Sequence, residues 1–186
     1  MAPAKEFSVE SEPWVRYLGG SCIQMWHLRN IMRSEDLDDR DRAILRELMR
    51  DGRLSNVDLA DKVGLSPSAC LRRVRLMEES GLIAGYVMLL DPVAAELAGV
   101  AYVSVTLDQQ GRAALDRFEA EARRHPEIIE CYLLAGVADY LLRVAYRDSG
   151  DFERIHSDII TQLPGVSRVQ STLALRTVKR TTALPI

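Results

Sequence analysis

Three arginines stand within four positions of the stretch SPSACLRRVR, at Arg72, Arg73 and Arg75. A guanidinium group can donate two hydrogen bonds at once, either to a phosphate or to the edge of a guanine base. A basic run of this length is more often just the solvated face of a surface helix. The arginines therefore indicate either a DNA-reading helix or an ordinary exposed one, and the neighbouring elements must decide between them.

Residues 37 to 83 are predicted to form three short helices, and the second and third carry clear start signals. Ser55 opens the sequence SNVD, which is a capping box, and Gly64 is expected to end that helix in the left-handed region. Ser66 followed by Pro67 is the pair expected at an N-cap and a first helical position. Two capped helices joined by the tight turn VGLSP make a helix-turn-helix, whose second helix enters the major groove of DNA.

Neither the orientation of the third helix nor the local charge decides whether this helix reads DNA or is an ordinary exposed helix. At 100° per residue, Cys70, Val74 and Met77 fall on one side, so the arginines point outward under both interpretations. Residues 37 to 83 contain nine basic and nine acidic side chains, and this balance of charge argues against DNA binding. The stretch LIAGYVMLL that follows is β-like and is expected to form a small wing. The pattern favours the DNA-reading helix and leaves the solvated face as its alternative.

Composition is that of an ordinary globular protein. Apolar residues make up 47% and charged residues 27% of the 186 residues, and the net charge is −3, so any DNA contact must come from a local patch. The N-terminus lacks the features of a signal peptide, and no apolar run approaches the roughly 18 residues that span a bilayer. Three scattered cysteines predict neither disulfides nor a zinc site. We therefore expect a soluble, cytoplasmic protein with no membrane contact.

From about residue 99 to residue 178, strand and helix patterns alternate in two similar halves. Each half has the order strand, helix, proline, strand, and its proline, Pro126 or Pro164, stands just past the helix. A duplicated β-α-β unit is the ferredoxin-like arrangement, an antiparallel four-stranded sheet with both helices on one face. The open face must be covered, so we expect dimerisation through it. The apolar residues expected on that face are Tyr102, Tyr132, Tyr146 and Leu175.

Both halves together resemble one known family. The stretch LDDRDRAILRELMRDGRLSNVDLADKVGLSPSACLRRVRLMEESGLIAGYVMLLDP resembles the DNA-binding half of the Lrp/AsnC (leucine-responsive, feast–famine) transcriptional regulators. The stretches HPEIIECYLLAGVADYLLRV and LPGVSRVQSTLALRTVK resemble the other half of the same family. The likeness covers residues 37 to 180 in unbroken order, which is far more specific than a lone helix-turn-helix.

The resemblance implies an α+β protein with an N-terminal winged helix-turn-helix and a C-terminal ferredoxin-like βαββαβ domain. It implies a transcriptional regulator that binds double-stranded DNA and responds to an amino-acid effector, for which a leucine-like amino acid is one candidate. It also implies a homodimer that assembles further, to an octamer or similar. The DNA contacts that it implies are Ser66, Ser68, Arg72, Arg73 and Arg75. Close relatives often carry an acidic residue at the position of Arg72, so we expect this helix to read a different site or to bind phosphate more strongly.

The same resemblance implies an amino-acid pocket around the loop LAGVADYL. The effector-binding residues that it implies are Leu133, Gly136, Asp139, Tyr140 and Thr161. A carboxylate such as Asp139 suits the ammonium of an amino acid, and Gly136 would let the backbone come close to a ligand. The alternative is a plain tight hairpin, in which Gly136 supplies a positive φ and Asp139 caps the turn.

The predicted organisation has five parts. Residues 1–36 form an N-terminal extension, either poorly ordered or a short helix, and residues 37–90 form the winged helix-turn-helix DNA-binding domain. A hinge over 91–99 leads to the ferredoxin-like effector-binding and oligomerisation domain over 100–178. Residues 179–186 form a C-terminal tail.

Catalytic and cofactor patterns are missing from the sequence. His27, His125 and His156 lack metal-ligand spacing, and no Gly-rich phosphate loop or Ser-His-Asp order is present. Cys70 and Cys131 are interpreted as small hydrophobic residues rather than redox switches. We therefore predict no metal, no cofactor and no enzymatic activity. The resemblance keeps one alternative, a small-molecule-binding or catalytic oligomer similar to sirohaem decarboxylases, with a vestigial helix-turn-helix.

Overall fold

The computed structural model describes residues 36–97 and 99–186. The described chain divides into two compact units, one of residues 36–88 with residues 180–186 and one of residues 89–179. The prediction of an N-terminal extension falls, except for residue 36, outside the described residues.

The first unit contains the three expected helices, α1 (Asp39–Arg50), α2 (Asn56–Val63) and α3 (Pro67–Glu79). Their apolar sides meet in one core, because each helix has its hydrophobic residues three or four positions apart. The buried residues of this core are Leu37, Ile44, Leu45, Leu59, Ala60, Val63, Cys70 and Met77. The short connection between α2 and α3 completes a helix-turn-helix.

Side-chain caps hold the ends of α2 and α3 where the sequence predicts them. The hydroxyl of Ser55 accepts a hydrogen bond from the N–H of Asp58 at 3.1 Å. Gly64, with a φ of 66°, ends α2 in the left-handed region. The hydroxyl of Ser66 accepts from the N–H of Ala69 at 3.3 Å and starts α3. These two hydrogen bonds and the φ of Gly64 confirm the predicted N-caps and stop signal. The carboxylate of Asp58 accepts from the hydroxyl of Ser55 at 2.6 Å, so the cap of α2 is not the reciprocal capping box that the sequence predicts.

The segment that follows α3 differs from the prediction. Residues 82–90 are predicted to be β-like, but they belong to no strand of the described chain, and residues 84–90 are exposed. An extended segment becomes a strand only when another strand hydrogen-bonds to it, and no described residue of this single chain pairs with it. The side chain of Tyr86 holds the segment to α3, since its hydroxyl donates to Glu78 at 3.0 Å.

The second unit is built on four antiparallel strands. They are β1 (Gly99–Leu107), β2 (Ile128–Leu133), β3 (Tyr140–Tyr146) and β4 (Val166–Leu173). Their order across the sheet is β2-β3-β1-β4. The two β-α-β halves are interleaved, because a strand of the other half lies between the two strands of each, which confirms the ferredoxin-like prediction.

The helices of the second unit cover one face of the sheet. They are α4 (Arg112–Ala122) and α5 (Ser149–Arg154), and α5 continues through a π-helical turn (Ile155–Ile159) and a 3₁₀ turn (Ile160–Gln162). The buried core between helices and sheet contains Val103, Val105, Leu107, Phe118, Ala122, Tyr140, Leu142, Val144, Ile155 and Ile160.

The open face of the sheet carries only part of the expected apolar surface. Tyr102 and Tyr132 lie on it and are 42% and 49% exposed. Tyr146 lies on the opposite, helix-covered face, where its ring centroid is 5.1 Å from that of Phe152, because strand positions two apart share a face. Leu175 lies beyond the end of β4. The prediction was therefore wrong for Tyr146 and Leu175.

Gly99 opens β1 directly beneath the ring of Tyr146, its partner across the strand pair. A Cβ at position 99 would lie 2.3 Å from Cε2 of that ring. We expect Gly99→Ala to lower the free energy of unfolding by about 1–3 kcal/mol, because the packed ring must move. Urea denaturation measures this, with Gly136→Ala as control, since nothing lies within 4 Å of a Cβ there. Equal losses in the two variants would contradict the expected overpacking.

Candidate DNA-binding and effector sites

The outward side of α3 forms the candidate DNA-reading surface. Cys70 and Met77, on its inward side, are fully buried and fix which side faces out. The residues that line a shallow concave surface on the outward side are Ser68, Leu71, Arg72, Arg75, Leu76 and Glu79. Ser66, at the start of the helix, is also exposed, and its hydroxyl lies 3.3 Å from that of Ser68. Four of the five predicted DNA contacts are therefore exposed at or near one surface.

Arg72 and Arg75 carry their guanidinium groups on this outward side of α3. Both side chains are exposed, and neither forms an ion pair with any residue that the structure describes. An unpaired guanidinium on a helix that is anchored by its core can donate to a phosphate or a guanine without first breaking an internal bond. This surface is therefore suited to DNA despite the negative net charge of the chain.

Arg73 lies on a different flank of α3 and is not free. Its Nη1 lies 2.7 Å from Oδ2 of Asp38 and 2.8 Å from Oδ1 of Asp41, both at the start of α1. These hydrogen bonds, to Asp41 first and Asp38 second, raise the pKa of Arg73 above its usual range. The structure thus separates Arg73 from the other predicted DNA contacts and gives it an internal partner.

The effector residues implied by the resemblance lie on two elements. Leu133 pairs with Tyr140 across the β2–β3 hairpin, and Gly136 and Asp139 lie in its loop. Thr161 lies in the 3₁₀ turn that ends α5, where its hydroxyl donates to the carbonyl of Ser157 at 2.8 Å. The hairpin therefore brings together four of the five residues.

Asp139 is buried and holds the hairpin to the end of β1. Its Oδ2 accepts from the N–H of Leu107 at 2.7 Å, and its Oδ1 accepts from Nε2 of Gln110 at 2.7 Å. Its own N–H donates to the carbonyl of Val105 at 3.0 Å. The carboxylate therefore connects two distant segments, which differs from the turn cap that was one of the two interpretations. An effector ammonium at this position would share the carboxylate with these donors.

Gly136 lacks the positive φ that the turn alternative assigned to it, and open space surrounds it in the described chain. Its φ is not among the positive values of the described glycines, and no heavy atom lies within 4 Å of the position that a Cβ would take. The positive φ that the turn alternative assigned to Gly136 was therefore wrong, although the residue does lie in the loop of a β-hairpin. Next to it, Val137 is fully exposed.

Tyr140 belongs to the core of the second unit. Its side chain is 1% exposed, and its ring centroid lies 4.3 Å from that of Phe118. Its hydroxyl donates to Oε1 of Glu119 at 3.0 Å, and burial, followed by this hydrogen bond, raises the pKa of Tyr140. Tyr140 therefore fixes the hairpin on α4. No sequence pattern indicates Glu119 or Gln110, whose partners are 21 and 29 positions away.

The cysteines of the described chain are poor nucleophiles. Burial raises the pKa of the Cys131 thiol to about 11 and also raises that of Cys70. Both thiols are therefore protonated at neutral pH, which supports their interpretation as small hydrophobic residues. Residues 36–97 and 99–186 contain no cluster of potential metal ligands. They also contain no helix that is long and apolar enough to cross a membrane.

Comparisons with known proteins match both units. The winged helix-turn-helix DNA-binding family matches residues 37–84, and the Lrp/AsnC ligand binding domain matches residues 100–184. The leucine-responsive regulatory protein of Salmonella typhimurium is 38% identical over 152 residues, which are 82% of this chain and 93% of that protein. An uncharacterised HTH-type transcriptional regulator of Sinorhizobium fredii is 50% identical over 117 residues, which are 63% of this chain and 92% of that one.

Solved structures show the same architecture. A transcriptional regulator of Neisseria meningitidis, determined as a complex with L-Met, has a TM-score of 0.77 at 38% identity and covers 80% of this chain and 96% of its own. An AsnC family transcriptional regulator of Agrobacterium tumefaciens also has a TM-score of 0.77 at 38% identity, with coverage of 80% and 97%.

The fold and the matched domains define the chain as a DNA-binding transcriptional regulator with a ligand-binding domain. The identity to leucine-responsive regulatory proteins extends through both units in one order. The chain belongs to the Lrp/AsnC family.

Proposed function

We propose that the chain is a homo-oligomeric regulator that binds double-stranded DNA through α3 and responds to an amino-acid effector. The observation that carries the proposal is the exposed pair of guanidinium groups, Arg72 and Arg75, on the outward side of an anchored helix. Neither forms an ion pair with a residue in the described part of the chain. The complex of the Neisseria meningitidis relative with L-Met supports an amino acid as the class of effector. The protein would act in the cytoplasm without a cofactor. That it is no enzyme stays a prediction, supported by its regulator relatives.

The proposed DNA contacts are Ser66, Ser68, Arg72 and Arg75. Exposed hydroxyls at the start of a recognition helix suit phosphate oxygens, which fix the register of a protein on DNA. The arginines, one and two turns further along the helix, suit guanine edges or further phosphates. In a two-fold symmetric dimer, the half-sites should be related by the same symmetry and repeat at about 10 bp.

The open face of the sheet is the proposed dimer interface. It exposes the rings of Tyr102 and Tyr132, which are large apolar groups with a polar end. At its centre, Arg143 pairs with Glu130 at 2.6 Å, while Nε of Arg143 is buried and has no hydrogen-bond partner within the described chain. A second copy that covers the exposed rings of Tyr102 and Tyr132 would remove their apolar surface from water, which supports dimerisation through this face.

The proposed effector site comprises the β2–β3 hairpin and the turn that ends α5. Its residues are Leu133, Gly136, Asp139, Tyr140 and Thr161. An effector that binds one arrangement of subunits more tightly than another shifts the population of assemblies and so the spacing of recognition helices. We propose that residues 37–90 bind DNA, that residues 91–99 act as the hinge, and that residues 100–178 bind effector and form the oligomer.

A thermal-shift screen of the twenty amino acids tests the effector part of the proposal. A ligand at about 100 times its dissociation constant stabilises the folded state by about 2.7 kcal/mol, which raises the melting temperature measurably. We expect at least one amino acid to do this and to change the assembly state in analytical ultracentrifugation. A chain whose melting temperature and assembly are indifferent to all twenty would remove the basis for an amino-acid effector.

A further inference from the structure

The first turn of α1 is bonded to both helices of the helix-turn-helix. Nη1 of Arg40 donates to the carbonyl of Val63, the last residue of α2. Asp38, the N-cap of α1, and Asp41, three positions later, both pair with Arg73, which lies midway along α3. One turn of α1 therefore contacts the end of one helix and the middle of the next.

The two carboxylates have all their oxygens engaged. Oδ1 of Asp38 accepts from the N–H of Asp41 at 2.8 Å, and Oδ2 of Asp41 accepts from the N–H of Asp38 at 3.3 Å. The remaining oxygen of each lies 2.7 or 2.8 Å from Nη1 of Arg73. Asp41 is 8% exposed, so part of this network is shielded from water. Charge-assisted hydrogen bonds are stronger in such a shielded environment than in water.

The charge network supplies a directional interaction that the apolar core lacks. Burial of Cys70 and Met77 holds α3 down, but apolar packing depends on area and only weakly on direction. A hydrogen bond weakens steeply when its angle or distance changes. Since neighbouring residues stand 100° apart around a helix, fixing Arg73 also fixes the directions of Arg72 and Arg75. Recognition demands such precision, because functional groups must be held to within about 0.5 Å.

We propose that Arg73 is a positioning residue for DNA recognition, which fixes the rotation of α3 through Asp38 and Asp41. This rests on DNA recognition by α3 and gives Arg73 a role different from direct DNA contact. The backbone hydrogen bond from Asp41, together with the Arg73 guanidinium, holds the pKa of Asp38 below its usual range. Asp38 is therefore charged at neutral pH, and its ion pair with Arg73 is present there.

A double-mutant cycle tests the role through the ratio of specific to non-specific affinity. The specific probe is a duplex that the wild-type chain selects from a random-sequence pool, and the non-specific probe is an unrelated duplex of equal length. The first variant is Arg73→Ala. The second is Asp38→Asn/Asp41→Asn, which keeps an oxygen for each cap hydrogen bond and removes both charges. Arg46→Ala, an exposed arginine on α1, controls for the loss of one positive charge.

We expect Arg73→Ala to lower the ratio by about threefold to tenfold in the wild-type background. In the Asp38→Asn/Asp41→Asn background, the same substitution should change it by less than about twofold, because the partners are already gone. Arg73→Ala should also leave the slope of log affinity against log salt unchanged. An equal reduction in both backgrounds would overturn the proposal. So would a salt slope that becomes shallower by about 0.9, which is the share of a single phosphate neutralised by the protein.

The carboxylate variant alone keeps the proposal testable if Arg73→Ala does not fold. In Asp38→Asn/Asp41→Asn, Arg73 is present but has lost its charged partners. The ratio of specific to non-specific affinity should therefore fall by about the same factor as in Arg73→Ala. A ratio that stays unchanged or rises would overturn the positioning role of Arg73. If the wild-type chain itself shows no salt-dependent binding, DNA recognition by α3 fails and the proposal fails with it. Loss of the positioning role alone leaves wild-type binding intact, so the two failures are distinguishable.

Discussion

Arg72→Ala/Arg75→Ala is expected to lower the affinity for a specific DNA site by roughly 100-fold or more, with no change in oligomer size. Each guanidinium that pairs with a guanine supplies about 1–3 kcal/mol, and each that pairs with a phosphate contributes about 0.9 to the salt slope. Both groups are exposed and unpaired within the described chain, so their removal breaks no internal ion pair there. Fluorescence anisotropy over a salt series measures the affinity, and sedimentation measures the oligomer.

A charge-matched variant separates the position of these arginines from their charge. Arg46→Ala/Arg53→Ala removes two exposed arginines from the same three-helix unit but none from α3. We expect its loss of DNA affinity to be several-fold smaller than that of Arg72→Ala/Arg75→Ala, because it removes only long-range attraction to the DNA. Equal losses of affinity in the two double variants would show that α3 has no special role in binding.

Asp139→Ala is expected to destabilise the chain by about 1–3 kcal/mol or more. The substitution leaves the buried N–H of Leu107 without the acceptor that it has at 2.7 Å, and a buried donor without an acceptor incurs its full desolvation cost. The amide of Gln110 also loses its acceptor, but this residue is exposed and its amide can bind water instead. Urea denaturation of the wild type and the variant measures the difference. A loss of stability below about 0.5 kcal/mol, typical of a surface substitution, would contradict the role of this carboxylate in joining hairpin and β1.

Asp139→Asn separates the structural role of this residue from a role in effector binding. An asparagine can still accept from Leu107, and a flipped Gln110 amide can accept from its NH₂ group, so we expect a smaller loss of stability. The negative charge is gone, however, and an effector ammonium would lose its partner. We therefore expect the amino-acid-induced thermal shift to disappear in Asp139→Asn. A full thermal shift in this variant would restrict Asp139 to a structural role.

Local signals predict the helices because their causes are local. The caps at Ser55 and Ser66 and the left-handed Gly64 depend on residues within one turn, and the structure confirms them. The buried sides of the strands follow from alternation along each strand, which fails only where a strand position is assigned to the wrong face, as for Tyr146.

The sequence is a much weaker guide to which polar side chain pairs with which. Arg73 and Asp41 are 32 positions apart, as are Leu107 and Asp139. Sequence spacing within an element shows which side a residue takes, but pairing across elements depends on how the elements pack. The family resemblance likewise identified candidate residues without showing which of their atoms are already bonded. The β-like segment after α3 illustrates the same limit, since strand formation needs a partner outside the segment.

The dependence of DNA binding on salt and on an added amino acid tests whether the chain is an effector-responsive DNA-binding regulator. The decisive measurement is the affinity of the full chain for the DNA upstream of its own gene as salt concentration rises. We predict a linear fall of log affinity with log salt, amounting to about 10³-fold between 50 and 200 mM for six phosphate contacts, and a shift of this line when the effector amino acid is added. Weak binding that is indifferent both to salt and to every amino acid would contradict an effector-responsive DNA-binding regulator.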